Sequence, residues 1–123
     1  MSDIYQATIL DHYRYPRHSS ATCIACTHAG AGHNPTCGDK ISVNLSIADG
    51  KIADIAWTGQ GCAISQAAMS LLSESVLGQG VAKVEALGKD DMLALIGVPL
   101  TATRLKCALL SLETLHKALR SAV

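Results

Sequence analysis

The chain has 123 residues, a length that suits one domain with a hydrophobic core and leaves little room for two. Ten Lys and Arg balance ten Asp and Glu, so no long-range field favours nucleic acid or anionic lipid as a partner. We expect one domain over residues 1–123. We also expect no membrane span and a cytoplasmic location, because no apolar run approaches ~20 residues and Met1–Asp11 lacks a signal-peptide stretch.

The first predicted element is a helix over residues 3–14. It starts after Ser2, carries apolar residues at helical spacing, and ends before Pro16. The following segment, Arg17 to Asp39, is rich in Ser, Thr, Gly, His and Pro. We expect mostly loop there, with at most one brief strand.

A β-hairpin is predicted around Asp49–Gly50. The preceding strand alternates apolar and polar residues, the period of a half-buried strand, with Ile41, Val43, Leu45 and Ile47 on one face. Asp-Gly readily takes the positive φ angles that a hairpin turn requires. The returning strand carries Ile52 to Trp57 and is expected to break at Gly59 and Gly61.

Helical periodicity takes over after Gly61. One helix has an apolar face from Ile64 to Leu72 and closes near Gly78, and one or two shorter helical segments fit Val81–Ile96. Thr101 or Thr103 can cap a last helix with an apolar stripe from Leu105 to Leu119.

The five cysteines favour metal binding or thiol chemistry. In a reducing cytosol structural disulfides are not expected, and the alternative is that free cysteines fill the core. At about 100° per residue, the stripe of the last helix centres near Leu109 and Leu112, which places Cys107 off the core face. Cys62 falls on the polar side of its own helix, at the first turn. There the helix dipole favours a reactive thiolate, and Lys106 and Arg104 add positive charge beside Cys107.

Cys37 lies in the turn-forming segment Asn34–Asp39, with Asp39 two residues further on. Three sulfurs and one carboxylate suit a tetrahedral zinc site, or an iron centre that exchanges its oxygen ligand. For Asp39 the alternative is a side chain that only bonds its own turn. We predict one metal site from Cys37, Asp39, Cys62 and Cys107.

Four blocks carry a family resemblance: Ile4–Arg17, Asn34–Asp39, Gly59–Ser65 and Arg104–Ala108. With them the chain resembles the IscU, SufU and NifU-N-terminal family of iron–sulfur cluster assembly proteins. The resemblance implies an α+β fold of the SufE/NifU kind, a small antiparallel sheet packed against helices, about five in number.

The resemblance also implies a function for the cysteines. In the family, the positions of Cys37, Asp39, Cys62 and Cys107 form an assembly site that holds zinc, iron or a transient [2Fe-2S] cluster. A cysteine desulfurase delivers sulfur to this site as a persulfide. An iron or electron donor protein and recipient apoproteins are the other implied partners, and the aspartate would keep the cluster labile.

Two branches of the family are both compatible with this sequence. Gly61–Ser65 and Lys106 are similar to SufU, a zinc-dependent sulfur acceptor and relay. The short spacing from Cys62 to Cys107 is similar to IscU, although Gly97–Thr103 lacks the proline-rich chaperone motif of that branch. We expect a scaffold, with a relay sulfurtransferase as the alternative. IscU-like chemistry makes Cys107 the first persulfide acceptor, SufU-like chemistry makes it Cys37, and Lys106 is a further catalytic candidate.

Cys23 and Cys26 fall outside the family pattern. With His33 and Cys37 they could form a zinc knuckle that binds nucleic acid, but the spacing is too long, no stacking aromatic is present and the chain is not basic. A redox role lacks a thioredoxin-like context, so we expect loop cysteines without function. The histidines outside the motif, His12 among them, are expected to be structural or at the surface. The sequence is compatible with a homo-oligomer.

Overall fold

The computed structural model describes residues 3–20, 23, 25–35 and 38–122, with side chains of the first helix described from Ala7 onward. In this part of the chain an antiparallel sheet in the order β1-β2-β3 packs against five helices. The elements are α1 Asp3–Arg14, β1 His28–Asn34, β2 Asp39–Ala48, β3 Lys51–Gln60, α2 Ala63–Val76, α3 Val81–Glu85, α4 Lys89–Ile96 and α5 Ala102–Leu119. The α+β prediction is confirmed.

The predicted hairpin forms from β2 and β3, and Asp49 and Gly50 take the positive φ angles of its turn, 54° and 71°. The predicted break of β3 at Gly61 is confirmed, but the one at Gly59 is wrong. That residue pairs with Ile41 and the strand continues to Gln60.

Strand β1 was not predicted from the sequence, because we expected mostly loop between Arg17 and Asp39. It pairs with β2 from His28 opposite Leu45 to Asn34 opposite Asp39. Its inner face packs on α5 through glycines: a Cβ on Gly30 would lie 2.6 Å from the Ala118 nitrogen, and one on Gly32 would lie 2.1 Å from Thr114 Oγ1. The inward positions of such a strand must be glycines. The strand therefore lacks the alternation of apolar and polar residues from which a strand is predicted.

The core lies between the sheet and helices α2 and α5. Its largest fully buried side chains include Trp57, Ile41, Leu45, Met69, Leu72 and Leu115. No helix in the described ranges is both long and apolar enough to cross a membrane.

Polar contacts attach α1 and the segment after it to α2 and β3. His12 is buried, with Nδ1 2.7 Å from Ser70 Oγ and Nε2 3.4 Å from the Glu74 carboxylate. The Arg17 amide also donates to Ser70 Oγ at 2.9 Å, and Trp57 Nε1 donates to the Arg17 carbonyl at 2.7 Å. His12 is therefore a structural residue, as expected.

This arrangement predicts a pH dependence of stability. Burial, helped by the Arg17 charge, lowers the pKa of His12 below its ordinary value of 6.5. Because the unfolded chain then takes up the proton more readily, stability is complete above about pH 6.5 and falls as the pH drops towards the folded-state pKa. Urea unfolding of wild type and His12→Gln between pH 7.5 and 5 measures this.

We expect the wild type to lose more of its free energy of unfolding over that range than His12→Gln loses. His33→Gln, a change at an exposed histidine, is the matched control and should follow the wild type. Equal losses in wild type and His12→Gln would show that His12 does not cause the pH dependence.

Candidate metal centre

The structure brings together three of the four predicted ligands. One ligand atom from each of Asp39, Cys62 and Cys107 lies within 4.8 Å of the others. Asp39 begins β2, Cys62 is the N-cap residue of α2, and Cys107 lies in the second turn of α5. The fourth predicted ligand, Cys37, falls outside the described residues. A cluster of two sulfurs and a carboxylate in this space fits zinc or iron.

Asp39 is fully buried, and its carboxylate is oriented by the start of α2. The backbone amide of Cys62 donates to Oδ1 at 2.8 Å, and the Cys62 thiol lies 3.6 Å from Oδ2. A buried carboxylate is costly unless it is hydrogen-bonded or paired with a cation. Asp39 therefore does more than bond its own turn, since it connects β2 to the first turn of α2 and turns its second oxygen towards a thiol.

Sequence analysis predicted a strand break at Gly61 and included this residue in a family motif, but it did not predict the contact of Gly61 with Asp39. Gly61 has φ +130°, and a Cβ at this position would lie 1.9 Å from Asp39 Oδ1 and 2.8 Å from its Cα. Only glycine lets the chain pass so close to the carboxylate. Two hydrogen bonds hold the turn, from Ser65 Oγ to the Cys62 carbonyl at 3.0 Å and from Gln66 Nε2 to the Gly61 carbonyl at 3.1 Å.

A Gly61→Ala substitution should therefore damage both the fold and the site. We expect a loss of about 2 kcal/mol or more in the free energy of unfolding, from the strained φ and the contact with Asp39, together with weaker zinc binding. Gly88→Ala is the control, because no atom lies within 4 Å of its added Cβ and its φ is negative. Urea unfolding and zinc titration of both variants test this, and wild-type stability in Gly61→Ala would contradict it.

The prediction that Cys107 lies off the buried face of α5 is wrong. Cys107 is 3% exposed, while Leu109, placed near the centre of the stripe, is only partly buried. The buried face is wider than the apolar stripe because Ser111 and Thr114 are buried as well, the latter under Gly32 of β1. Cys62, which was predicted on the polar side of its helix, is half-buried at the N-cap of α2.

Lys106 points away from the core and lines a cleft of about 290 Å³ beside the metal centre. The opposite wall of the cleft is the segment from His33 to Pro35, which leads towards Cys37. The structure thus places Lys106 beside residues 33–35, which precede Cys37 in the sequence.

Cys23 and Cys26 are joined as a disulfide, with their Cα atoms 5.5 Å apart. The expectation that the cysteines avoid disulfides is wrong for this pair, because the Cys-x-x-Cys turn brings the two side chains together at a Cα separation that suits a disulfide. Within the described residues the pair takes no part in the Asp39, Cys62 and Cys107 cluster.

Comparison with known proteins shows which family the chain resembles. The family described as NifU-like N terminal domain matches residues 4–121. The iron-sulfur cluster assembly scaffold protein IscU of Streptococcus pyogenes is 31% identical, over 98% of this chain and 85% of its own length. The zinc-dependent sulfurtransferase SufU of Bacillus subtilis is 28% identical, over 95% of this chain and 90% of its own.

A solved structure shares the fold as well. A candidate iron-sulfur cluster assembly scaffold of the SUF system from Fervidobacterium islandicum superposes with a TM-score of 0.75 at 25% identity, covering 95% of this chain and 97% of its own. The resemblance inferred from the four sequence blocks is confirmed. This chain belongs to the NifU-like N-terminal domain family.

Proposed function

We propose that this chain is an iron–sulfur cluster assembly scaffold. It accepts persulfide sulfur from a cysteine desulfurase, binds iron, and assembles a [2Fe-2S] cluster for transfer to recipient apoproteins. The single observation that carries the proposal is the convergence of Asp39, Cys62 and Cys107 within 4.8 Å, from three separate elements. The names of the relatives from Streptococcus pyogenes and Fervidobacterium islandicum support it.

The chemistry of these groups suits a cargo that must be both held and released. Thiolates bind iron strongly, and a carboxylate oxygen is a harder and more exchangeable ligand. In the proposed site Cys37 completes the set as the fourth ligand, and Cys62, which is half-buried, stays within reach of a recipient. A single domain over residues 1–123 holds the whole set.

Sulfur enters by thiol exchange. The acceptor thiolate attacks the outer sulfur of the desulfurase persulfide, the S–S bond breaks, and the desulfurase thiolate leaves, so that the acceptor becomes the persulfide. Two electrons from an electron donor protein then reduce this sulfur to sulfide. Because Cys107 is 3% exposed, we place Cys37 first as acceptor and Cys107 second, with the Lys106 ammonium stabilising the incoming anion.

A zinc-dependent sulfur relay is the second candidate. It is favoured by the compact donor set, which suits tetrahedral zinc, and by the name of the Bacillus subtilis relative. The relay uses the same thiols and the same desulfurase but forms no cluster. Both reactions need reduced thiols, which supports a cytoplasmic location.

One experiment separates the two. Anaerobically purified protein is assayed for metal and then incubated with a cysteine desulfurase, cysteine, iron and a reductant. The scaffold predicts visible cluster absorption in wild type and none in Cys62→Ser, with the Cys23→Ser/Cys26→Ser double variant as control. Tightly held zinc with stimulated desulfurase turnover and no cluster would instead establish the relay. If the protein shows neither a cluster nor tightly held zinc with stimulated turnover, both proposed functions are overturned.

A further inference from the structure

Three exposed lysines and an exposed histidine line clefts beside the residues of the metal centre. We name the exposed residues His33, Lys40, Lys106 and Lys117 the cationic band. Three clefts run along it: His33 and Lys106 line the first, His33, Lys40 and Lys117 the second, and Lys40 the third. Because neighbouring clefts share a residue, they form one continuous surface across β1, β2, β3 and the edge of α5.

The sheet register explains why this surface is open. His33 of β1 lies opposite Lys40 of β2, which lies opposite Gln60 of β3. In the next exposed row, Ala31, Ser42 and Thr58 are neighbours in the same way, and all three are small. The core side chains point to the other face, so this face is a shallow polar floor bordered by lysines.

Acidic side chains are largely absent from the band, although the whole chain is neutral. Among the residues that line the three clefts, Glu113 is the one carboxylate. Other acidic residues lie elsewhere, with Asp49 and Asp54 towards the hairpin turn and Asp90 and Asp91 in the first turn of α4. The three clefts therefore carry more basic than acidic side chains.

The band also adjoins the ligands. Lys40 directly follows Asp39, and Lys106 directly precedes Cys107. A partner seated on the band would therefore have its own reactive group near the metal centre.

We propose that the cationic band docks an acidic segment of the protein that delivers sulfur to the metal centre. The identity of that protein as a cysteine desulfurase rests on the proposed function, whereas the acidic character of the segment rests on the band. A protein segment fits better than a nucleic acid because the chain has no net positive charge and none of the residues lining the three clefts is a Phe, Tyr or Trp on which bases could stack.

Charges at the rim of an interface act mainly on the association rate and on its salt dependence. The Debye length is about 10 Å at 0.1 M salt, so the attraction should weaken steeply as salt is added. The docking step can thus be separated from the chemistry at the ligands.

The test uses the Lys40→Glu/Lys117→Glu double variant, which leaves the proposed ligands and Lys106 unchanged. Its control is Lys51→Glu/Lys83→Glu, the same charge change at two exposed lysines near the hairpin turn and on α3. Cobalt(II) binding first shows that each metal site is intact. Desulfurase affinity is then measured by biolayer interferometry from 20 to 300 mM salt, together with sulfur loading at saturating desulfurase.

We expect the band variant to bind the desulfurase about tenfold or more weakly at low salt, with a flatter salt dependence, and to load sulfur normally at saturation. The control should match wild type. Equal affinity and equal salt dependence in the band variant and wild type would overturn the docking inference while leaving the scaffold or relay function intact.

If wild type takes no sulfur from the desulfurase, the proposed function fails and a second probe decides on the band. This probe is a fluorescent ten-residue peptide rich in Asp and Glu, compared with a neutral peptide and a single-stranded oligonucleotide of equal length. Salt-sensitive binding of the acidic peptide that the band variant loses supports the inference. No binding, or preference for the oligonucleotide, overturns it.

Discussion

Cys107→Ser should lower zinc affinity by at least about 100-fold, because it removes a sulfur ligand, and changes outside the first coordination sphere already cost 10–100-fold at metal sites. The Cys107 sulfur shares a 4.8 Å cluster with Asp39 and Cys62 and is nearly inaccessible to solvent. A serine hydroxyl is close in size to the thiol but is a poor ligand for a soft or borderline metal. Competition titration against a chromogenic chelator measures the loss.

The stability of the same variant distinguishes ligation from packing. The metal-free Cys107→Ser chain should lose less than about 2 kcal/mol, the cost of one poorly paired buried hydroxyl. Zinc at 1,000 times its Kd should stabilise wild type by about 4 kcal/mol and the variant far less. The Cys23→Ser/Cys26→Ser chain is the control and should respond to zinc like wild type. Equal stabilisation of Cys107→Ser by zinc would remove Cys107 from the ligand set.

Asp39→Cys should slow the release of the cluster from the site. The substitution replaces the oxygen ligand by a fourth thiolate, and the smaller side chain fits the space that the buried carboxylate leaves. We expect a reconstituted [2Fe-2S] cluster to persist longer and to pass to an apoferredoxin about tenfold or more slowly, since thiolate is the preferred ligand of iron–sulfur clusters.

The control for this prediction is Asp39→Asn, which can still accept the Cys62 amide bond through its carbonyl oxygen while losing the anionic ligand. It separates the structural bond from metal ligation. Cluster transfer is followed by circular dichroism of the product. Faster or unchanged transfer from Asp39→Cys would show that the aspartate does not control cluster release.

The elements that the sequence predicted well are those with a regular apolar period. Strand β2 alternates cleanly and ends at Asp49–Gly50, so the hairpin followed from local rules, and Thr101 caps α5 as proposed, accepting a bond from the Arg104 amide at 3.3 Å. Strand β1 was not predicted because its inward residues Gly30 and Gly32 carry no side chains and so give no apolar alternation. They are required by the approach of α5, which is a tertiary contact.

The predicted metal ligands show a different limit of prediction from sequence. Helical geometry placed both Cys62 and Cys107 off the core face, whereas Cys62 is half-buried and Cys107 is buried. The burial of Ser111, and of Thr114 under Gly32 of β1, cannot be read from an apolar stripe. For Asp39 the residues alone left turn bonding and ligation open, and the family resemblance pointed to ligation. The close passage of Gly61 over its carboxylate explains why a glycine stands at that position.

The central claim is that residues from β2, α2 and α5 bind one metal together with Cys37, and cobalt(II) titration tests it most directly. Cobalt in a tetrahedral thiolate site gives visible d–d bands and ultraviolet sulfur-to-metal charge transfer. We predict saturation at one cobalt per chain, with charge transfer reduced in Cys37→Ser, Cys62→Ser and Cys107→Ser and unchanged in Cys23→Ser/Cys26→Ser. Wild-type spectra from the three single variants, or loss of the signal in the double variant, would contradict the account.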